Sequence, residues 1–174
     1  MRRSSHHAPS SVPLQGCPLH DLRAKLCRVG LRPTTQRVAL GWLLFRDGHR
    51  HVTAEALFEE AMVSKVKTSL ATVYNTLHQF THRGLLRSIA VDGSRMYFDT
   101  NTSRHHHYFV QNTSQLVDSP EGMVGLVGVP DAPAGYEVIS VDIVIRCGPA
   151  KGAGTQDVST PIRESLFCAG KYAA

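Results

Sequence analysis

The first half of the chain repeats apolar residues at intervals of three and four, which predicts amphipathic helices. Four helices are expected, and their inward-facing residues are Leu19, Leu22, Leu26 and Val29, then Val38, Trp42 and Phe45, then Leu57, Phe58, Ala61 and Met62, and finally Leu70, Val73, Leu77 and Phe80. The Thr34-Thr35 pair, Thr53 and Ser69 can cap the last three helices, because a side-chain oxygen accepts a hydrogen bond from a first-turn amide. Gly84 follows the fourth helix, where a left-handed backbone is common.

The pattern becomes extended after the fourth helix. Residues 85–91 and 95–99 read as short strands, and the Asp92-Gly93 pair between them is a strong hairpin signal. Three helices followed by a hairpin is the order of a winged helix-turn-helix. In that module one helix suits the major groove of DNA, and the hairpin reaches the backbone or the minor groove.

A smaller unit follows Asp99. Its expected elements are strands over residues 105–111, 114–119 and 136–146, and a short helix, weakened by its glycines, over residues 121–129. The last strand would place on one face Ile139, Val141, Ile143 and Ile145. A unit of about 40 residues is too small for a secure core, so we expect a second copy of the chain to complete it as a homodimer.

These elements predict an α+β fold, with an N-terminal winged helix-turn-helix followed by a small α/β dimerisation domain. The expected divisions are a disordered tail at 1–16, the winged-helix DNA-binding domain at 17–99, a hinge at 100–103, a dimerisation and metal- or heme-sensing domain at 104–146, and a mostly disordered tail at 147–174.

A net charge of +5 and a pI of about 9.2 favour an anionic partner, of which nucleic acid is the commonest. The four cysteines, at 17, 27, 147 and 168, form no C-x-x-C pair, which argues against a zinc knuckle or a redox motif. The basic N-terminus lacks the apolar segment of a signal peptide, and no run approaches the ~20 apolar residues of a membrane-spanning helix. We therefore expect a soluble, cytoplasmic protein with no membrane partner.

The fourth helix carries the side chains expected to read DNA. Thr72 and Tyr74 can contact a thymine methyl group, and Asn75 can bridge two nitrogens of adenine. Ser69 is a further expected contact, and the helix centre has no Lys or Arg for guanine. Positive charge for phosphates lies around the helix, at Arg32, Arg37, Lys65, Lys67 and Arg95. The prediction is an A/T-rich, dyad-symmetric operator, and the alternative is a winged helix that binds protein instead of DNA.

Three consecutive histidines, His105, His106 and His107, offer metal ligands. In an extended chain His105 and His107 point the same way with Cα atoms ~6.6 Å apart, so both imidazoles can reach one ion at ~2.1 Å. His106 points to the opposite face, and Asp118 on the neighbouring strand can add an oxygen. The alternatives are a solvated patch without a metal and a metallohydrolase. No H-E-x-x-H pattern supports hydrolysis, so we expect no enzyme.

Four segments carry a family resemblance: LRPTTQRVALGWLLF, HVTAEALFEEA, SLATVYNTLHQFTHRGLL and YFDTNTSRHHHYF. Together they resemble the Fur superfamily of metal-dependent repressors, and in particular its heme-responsive branch of iron response regulators, over about residues 16–146. The resemblance implies that the helix with Thr72 is the recognition helix and that Tyr74 contacts bases. It also implies that His51 and Asp99 belong to the sensory metal site and link the two domains.

At two places the sequence lacks metal ligands that the family pattern usually has. Val110 and Thr113 or Ser114 stand where the family usually has the C-x-x-C that helps to bind structural zinc, so that zinc site is expected to be missing. Val141 stands where the family tends to supply a histidine ligand.

Cys17, followed by Pro18, resembles a heme regulatory motif. A cysteine thiolate can bind ferric heme, and proline has no amide hydrogen that would otherwise bond the sulfur. With His105, His106 and His107 it suggests heme binding at more than one place. The expected function is an iron- and heme-responsive regulator, mainly a repressor of iron and heme metabolism genes, whose DNA binding is lost when heme binds. The alternative is a Fur-type repressor that responds to Fe²⁺, Mn²⁺ or Zn²⁺ without heme. A heme-donating enzyme is a further candidate partner.

Overall fold

The first half of the chain, where apolar residues have helical spacing, folds into four helices. The computed structural model describes residues 19–92, 95–120, 124–125 and 127–149. The chain divides into two compact units between Ser103 and Arg104. Unit 1 contains α1 (Leu19–Arg28), α2 (Thr35–Phe45), β1 (His51–Val52), α3 (Ala54–Val63), α4 (Leu70–His82), β2 (Arg87–Asp92) and β3 (Arg95–Asp99). Unit 2 contains β4 (His107–Val110), β5 (Gln115–Asp118) and β6 (Val144–Cys147). Cys17, the first predicted tail and most of the second lie outside the described residues.

Threonine and serine side chains cap the N-termini of three helices of unit 1. The side chains of Thr34, Thr53 and Ser69 each accept a hydrogen bond from the amide three residues further on. Gly84 follows α4 with a φ of 70°, a left-handed conformation that costs other residues about 1–2 kcal/mol. The predicted caps and the end of the fourth helix are therefore confirmed.

The fourth helix packs into the centre of unit 1. Val73, Leu77 and Phe80 are fully buried, in one apolar cluster with side chains of α1, α2 and α3. Two residues predicted to face inward are exposed, Met62 at 57% and Leu70 at 36%, and Val29, Trp42 and Phe58 are only partly buried against the cluster. Met62 lies in the last turn of α3 and Leu70 begins α4, so both stand at helix ends, where the apolar stripe leaves the core.

The predicted hairpin forms a three-stranded sheet together with β1, in the order β1-β3-β2. The central strand β3 is antiparallel to both neighbours. The short strand β1, which the sequence pattern does not predict, places His51 directly opposite Asp99. Gly93 and Ser94, at the predicted turn, lie outside the described residues.

Unit 2 has β4 as its central strand, antiparallel to β5 and parallel to β6. Phe109, Leu116 and Val117 are buried, and His107 on β4 is opposite Asp118 on β5. In the described parts of both units, no helix has the length and apolarity needed to cross a membrane.

Two predictions for unit 2 are wrong in part. Within the predicted helix at 121–129, the described residues 124–125 and 127–129 are not helical, and Gly128 has a left-handed φ of 82°. The predicted strand at 136–146 is confirmed only at Val144–Cys147. Ile139 is 85% exposed and Val141 is 40% exposed. Alternation favours an extended chain, but a strand also needs a neighbour to pair with.

Candidate metal centre and nucleic-acid interface

The pairing of β4 with β5 brings the histidine cluster against an aspartate. Asp118 Oδ1 lies 3.1 Å from His105 Nε2 and 3.7 Å from His107 Nε2. The two imidazole rings are 4.5 Å apart between centroids, and their side chains are 5% and 0% exposed. His105 and His107 therefore lie on the same side, as their spacing predicts, and Asp118 meets them because it is the cross-strand neighbour of His107.

The donor set of unit 2 fits a divalent metal ion. His105, His107 and Asp118 each offer a ligand atom, and these three atoms lie within 4.8 Å of one another. Bonds of about 2.1 Å place the donor atoms of one ion roughly 3–3.5 Å apart, so only small adjustments of the side chains are needed. Imidazole nitrogen and carboxylate oxygen are donors that suit Fe²⁺, Mn²⁺ and Zn²⁺.

A second histidine–aspartate pair lies in unit 1. His51 Nε2 is 3.7 Å from Asp99 Oδ1, and the two side chains are 10% and 0% exposed. Asp99 Oδ1 also accepts a hydrogen bond of 2.7 Å from the Asn101 amide, which orients the carboxylate at the end of β3. Sequence spacing alone does not bring this pair together, because His51 and Asp99 meet through the β1–β3 register.

The other residues predicted to bear on metal or heme binding are His106, Val110, Val141 and Cys17. The His106 carbonyl accepts a hydrogen bond of 2.8 Å from the Ser119 amide. Nδ1 of His106 is buried and has no hydrogen-bond partner among the described residues. Val110 at the end of β4 and Val141 supply no ligand atom. Cys17 lies outside the described residues, so its role and that of His106 stay predictions.

The fourth helix presents the predicted DNA-reading residues at the surface of unit 1. Thr72 and Tyr74 are partly buried, and Asn75 is exposed. Ser69 Oγ accepts a hydrogen bond from the Thr72 amide and lies 2.9 Å from Thr72 Oγ1, so both hydroxyls are engaged at the start of the helix. Lys67, just before α4, is exposed.

Arg37, a partly buried residue of α2, helps to hold α4 in position. Its Nε donates a hydrogen bond of 2.9 Å to Gln79 Oε1 on α4, and its Nη1 donates one of 2.8 Å to the Arg32 carbonyl. The guanidinium therefore joins α2 to α4 and to the segment before α2. Contact between Arg37 and a DNA phosphate stays a prediction.

A contact that sequence reasoning missed lies between α3 and α4. The Tyr74 hydroxyl donates a hydrogen bond to the carboxylate of Glu55, which stands 19 residues earlier. This bond is the main cause that lowers the pKa of Glu55, and it also raises the pKa of Tyr74. No local pattern predicts the pair, because it depends on how α3 packs against α4.

Helices followed by a hairpin make unit 1 a winged helix-turn-helix, the class of module in which a helix is presented to DNA. Residues 28–119 match the model of the ferric uptake regulator family, and the chain belongs to that family. The peroxide-responsive repressor PerR of Staphylococcus epidermidis is 31% identical to this chain over 100 residues, which are 58% of this chain and 66% of that relative. This chain therefore spans slightly less than two thirds of that relative's length.

Solved structures show the same fold. The ferric uptake regulator of Vibrio cholerae has a TM-score of 0.60 and 19% identity, over 74% of this chain and 100% of that chain. The ferric uptake regulator of Pseudomonas aeruginosa with manganese has a TM-score of 0.55 and 23% identity, over 73% of this chain and 96% of that chain. These likenesses confirm the predicted α+β fold.

Proposed function

We propose that this chain is a metal-ion-responsive transcriptional regulator, mainly a repressor, that binds A/T-rich dyad operators as a homodimer. The observation that carries the proposal is the buried group formed by His105, His107 and Asp118. Membership of the ferric uptake regulator family supports it. The relatives support it as well, since PerR is named a repressor and one solved relative is described with manganese.

The proposed ligands of one ion are His105, His107 and Asp118 together with His51 and Asp99. Family resemblance supports the inclusion of the last two, and their burial beside each other agrees with a ligand role. Ligands drawn from both units would favour one relative angle of the DNA-binding and dimerisation domains across the proposed hinge. The availability of Fe²⁺, Mn²⁺ or Zn²⁺ would thereby change the affinity for DNA.

The proposed DNA contacts are six residues on or near α4, namely Arg37, Lys67, Ser69, Thr72, Tyr74 and Asn75. The net charge of +5 supports an anionic partner. Anisotropy titrations with an A/T-rich inverted repeat are expected to show binding that weakens steeply with salt, because phosphate contacts release counterions. Tighter binding to a G/C-rich duplex would contradict the operator prediction, and absence of binding to both duplexes would contradict DNA binding.

The proposed homodimer rests on the apolar surface of unit 2. Its large exposed apolar residues are Val127, Val129, Tyr136, Val138, Ile139 and Val141. Val129, Tyr136, Val138 and Val141 line one open groove, and contiguous exposed apolar surface marks an interaction site. A second copy of the same segment is the partner that also supplies the two-fold symmetry of a dyad operator.

Heme as the signal is the second candidate function. Its proposed ligands are Cys17, His105, His106 and His107, with a heme-donating enzyme as a further partner. The buried His106 Nδ1 favours this candidate, because that nitrogen is outside the group around Asp118 and has no hydrogen-bond partner among the described residues. The resemblance to the heme-responsive branch supports it as well.

Two titrations separate the candidates. Calorimetry with Mn²⁺ is expected to show binding in the wild type and in His82→Ala, an exposed histidine on α4, but much weaker binding in Asp118→Ala. The absorption spectrum of ferric heme is expected to stay the same when wild-type protein is added. The opposite result would be a Soret shift in the wild type that is lost in the variant with both Cys17→Ala and His106→Ala, together with no binding of Mn²⁺, Fe²⁺ or Zn²⁺. That result would show that heme, and not a metal ion, is the signal.

A further inference from the structure

Tyr74 is held from two sides within unit 1. Its hydroxyl donates a hydrogen bond to the Glu55 carboxylate. Its ring stacks on His78, with centroids 6.3 Å apart and planes at 20°. His78 in turn meets Phe98 of β3 edge-on, with centroids 5.8 Å apart and planes at 82°. The hydroxyl of Tyr74 is therefore bonded to α3, and its ring is linked through His78 to the sheet that contains the hairpin.

Glu55 is itself held in place by the start of α3. It lies two residues after the cap Thr53, where a carboxylate is favoured by the first-turn amides and by the helix dipole. The Tyr74 hydroxyl, the backbone amide of Glu55 and the Thr53 side chain together lower the pKa of Glu55. A side chain whose own position is fixed in this way can orient a second group.

The bond to Glu55 also decides what Tyr74 can offer to a base. A phenol has one donor hydrogen and an acceptor oxygen. When the hydrogen is engaged by a carboxylate, the oxygen remains an acceptor and the ring remains an apolar surface. In the major groove, an acceptor matches the amino groups of adenine and cytosine, and an apolar surface matches the thymine methyl group. An acceptor oxygen alone does not distinguish the two kinds of base pair, because each carries one amino group, so the preference depends on the contact of the ring with the methyl group.

We infer that Glu55 is a positioning residue that determines specificity, because its bond to the hydroxyl fixes the Tyr74 ring as an apolar surface for the thymine methyl group of A·T pairs. The inference rests on the proposed DNA binding by α4. Charge repulsion alone predicts a different result, since removal of a carboxylate near phosphates would tighten binding to every duplex equally. Glu55→Gln distinguishes the two, because glutamine removes the charge and keeps an acceptor oxygen.

Binding of the full chain is to be measured by anisotropy on an A/T-rich inverted repeat and on duplexes in which single A·T pairs are changed to G·C. We expect Glu55→Ala and Tyr74→Phe each to lower the preference for the A/T-rich duplex about tenfold. The double variant is expected to lose no more than either single variant, because both changes remove one interaction. Glu55→Gln should retain the preference. Glu59→Ala, one turn further along the same helix and also exposed, is the matched control and should change nothing.

Tyrosine ionisation gives a readout that needs no DNA. In absorbance titrations compared with Tyr74→Phe, Tyr74 should ionise at higher pH in the wild type than in Glu55→Ala. Ionisation at the same pH in both proteins would overturn the inference. An equal change in affinity for all duplexes in Glu55→Ala, or additive losses in the double variant, would overturn it while leaving the proposed function intact. If the wild type binds no duplex at all, the proposed function is wrong and the inference falls with it.

Discussion

Units 1 and 2 bury their apolar side chains to very different degrees. In unit 1 the four helices contribute to a single buried cluster, and Leu26, Leu44 and Phe80 are 0% exposed. In unit 2 the buried apolar residues within the described ranges are Phe109, Leu116 and Val117. Val127 and Tyr136 of unit 2 are instead 104% and 78% exposed.

Unit 1 therefore has an apolar core of its own, whereas the described part of unit 2 has little apolar burial to stabilise it. Burial of apolar surface contributes about 25 cal/mol per Å², and unit 2 leaves much of its apolar surface in contact with solvent. Two additions would complete it under the proposed function. One is a second copy of the chain over the apolar surface, and the other is a metal ion held by His105, His107 and Asp118.

The largest expected effect tests the core of unit 1. Phe80→Ala should lower the free energy of unfolding by about 3–5 kcal/mol, because it removes a fully buried ring from the cluster. Met62→Ala, at a residue that is 57% exposed, should change it by less than about 0.5 kcal/mol. Denaturant titrations measure both values, and similar effects of the two substitutions would contradict the burial described for α3 and α4.

The next effect tests whether metal stabilises unit 2. Mn²⁺ at 100 times its dissociation constant should stabilise the wild type by about 2.7 kcal/mol, because it binds only the folded state. At the same concentration it should stabilise His107→Ala by much less, since one buried ligand is missing. Thermal unfolding with and without Mn²⁺ gives the comparison. His82→Ala is the control, and a loss of stabilisation in that variant would assign the metal to another site.

Dimerisation through the apolar surface of unit 2 predicts a smaller effect. Ile139→Asp should raise the dimer dissociation constant at least about tenfold, because it places a charge in a contact from which water is removed. Val63→Asp, which changes an 83% exposed residue of unit 1, should leave the dissociation constant unchanged. Sedimentation velocity over a range of concentrations measures the dissociation constants. If the dissociation constant of Ile139→Asp equals that of the wild type, the dimer interface lies elsewhere.

The smallest effect tests a local signal of unit 1. Thr53→Ala should lower the free energy of unfolding by about 1 kcal/mol, because the amide of Ala56 loses the oxygen that accepts its hydrogen bond. Thr53→Ser keeps that oxygen and should cost much less. Equal losses in the two variants, measured by chemical denaturation, would mean that the methyl group of Thr53 matters more than its hydroxyl.

Sequence could predict those features that depend on neighbouring residues. The caps at Thr34, Thr53 and Ser69 follow from hydroxyls that reach amides three residues away. The shared side of His105 and His107 follows from the two-residue period of an extended chain.

Features that depend on distant partners could not be predicted in the same way. Glu55 and Tyr74 meet because two helices pack, and nothing in the sequence near either residue specifies that contact. The alternation around Ile139 predicts a longer strand than Val144–Cys147, because alternation indicates which side chains share a face and not whether a neighbouring strand is there to pair. The role of Cys17 stays a prediction, since that residue lies outside the described ranges.

Under the proposed function, ion binding and DNA binding are coupled, and this coupling can be measured directly. Wild type and Asp118→Ala are to be titrated against an A/T-rich inverted repeat, with Mn²⁺ at saturation and after removal of metal by a chelator. Mn²⁺ is expected to raise the DNA affinity of the wild type at least about tenfold, within the usual range of coupling between sites, and to leave that of Asp118→Ala unchanged. Equal affinity of the wild type in both conditions, with Mn²⁺ shown to be bound, would contradict this coupling.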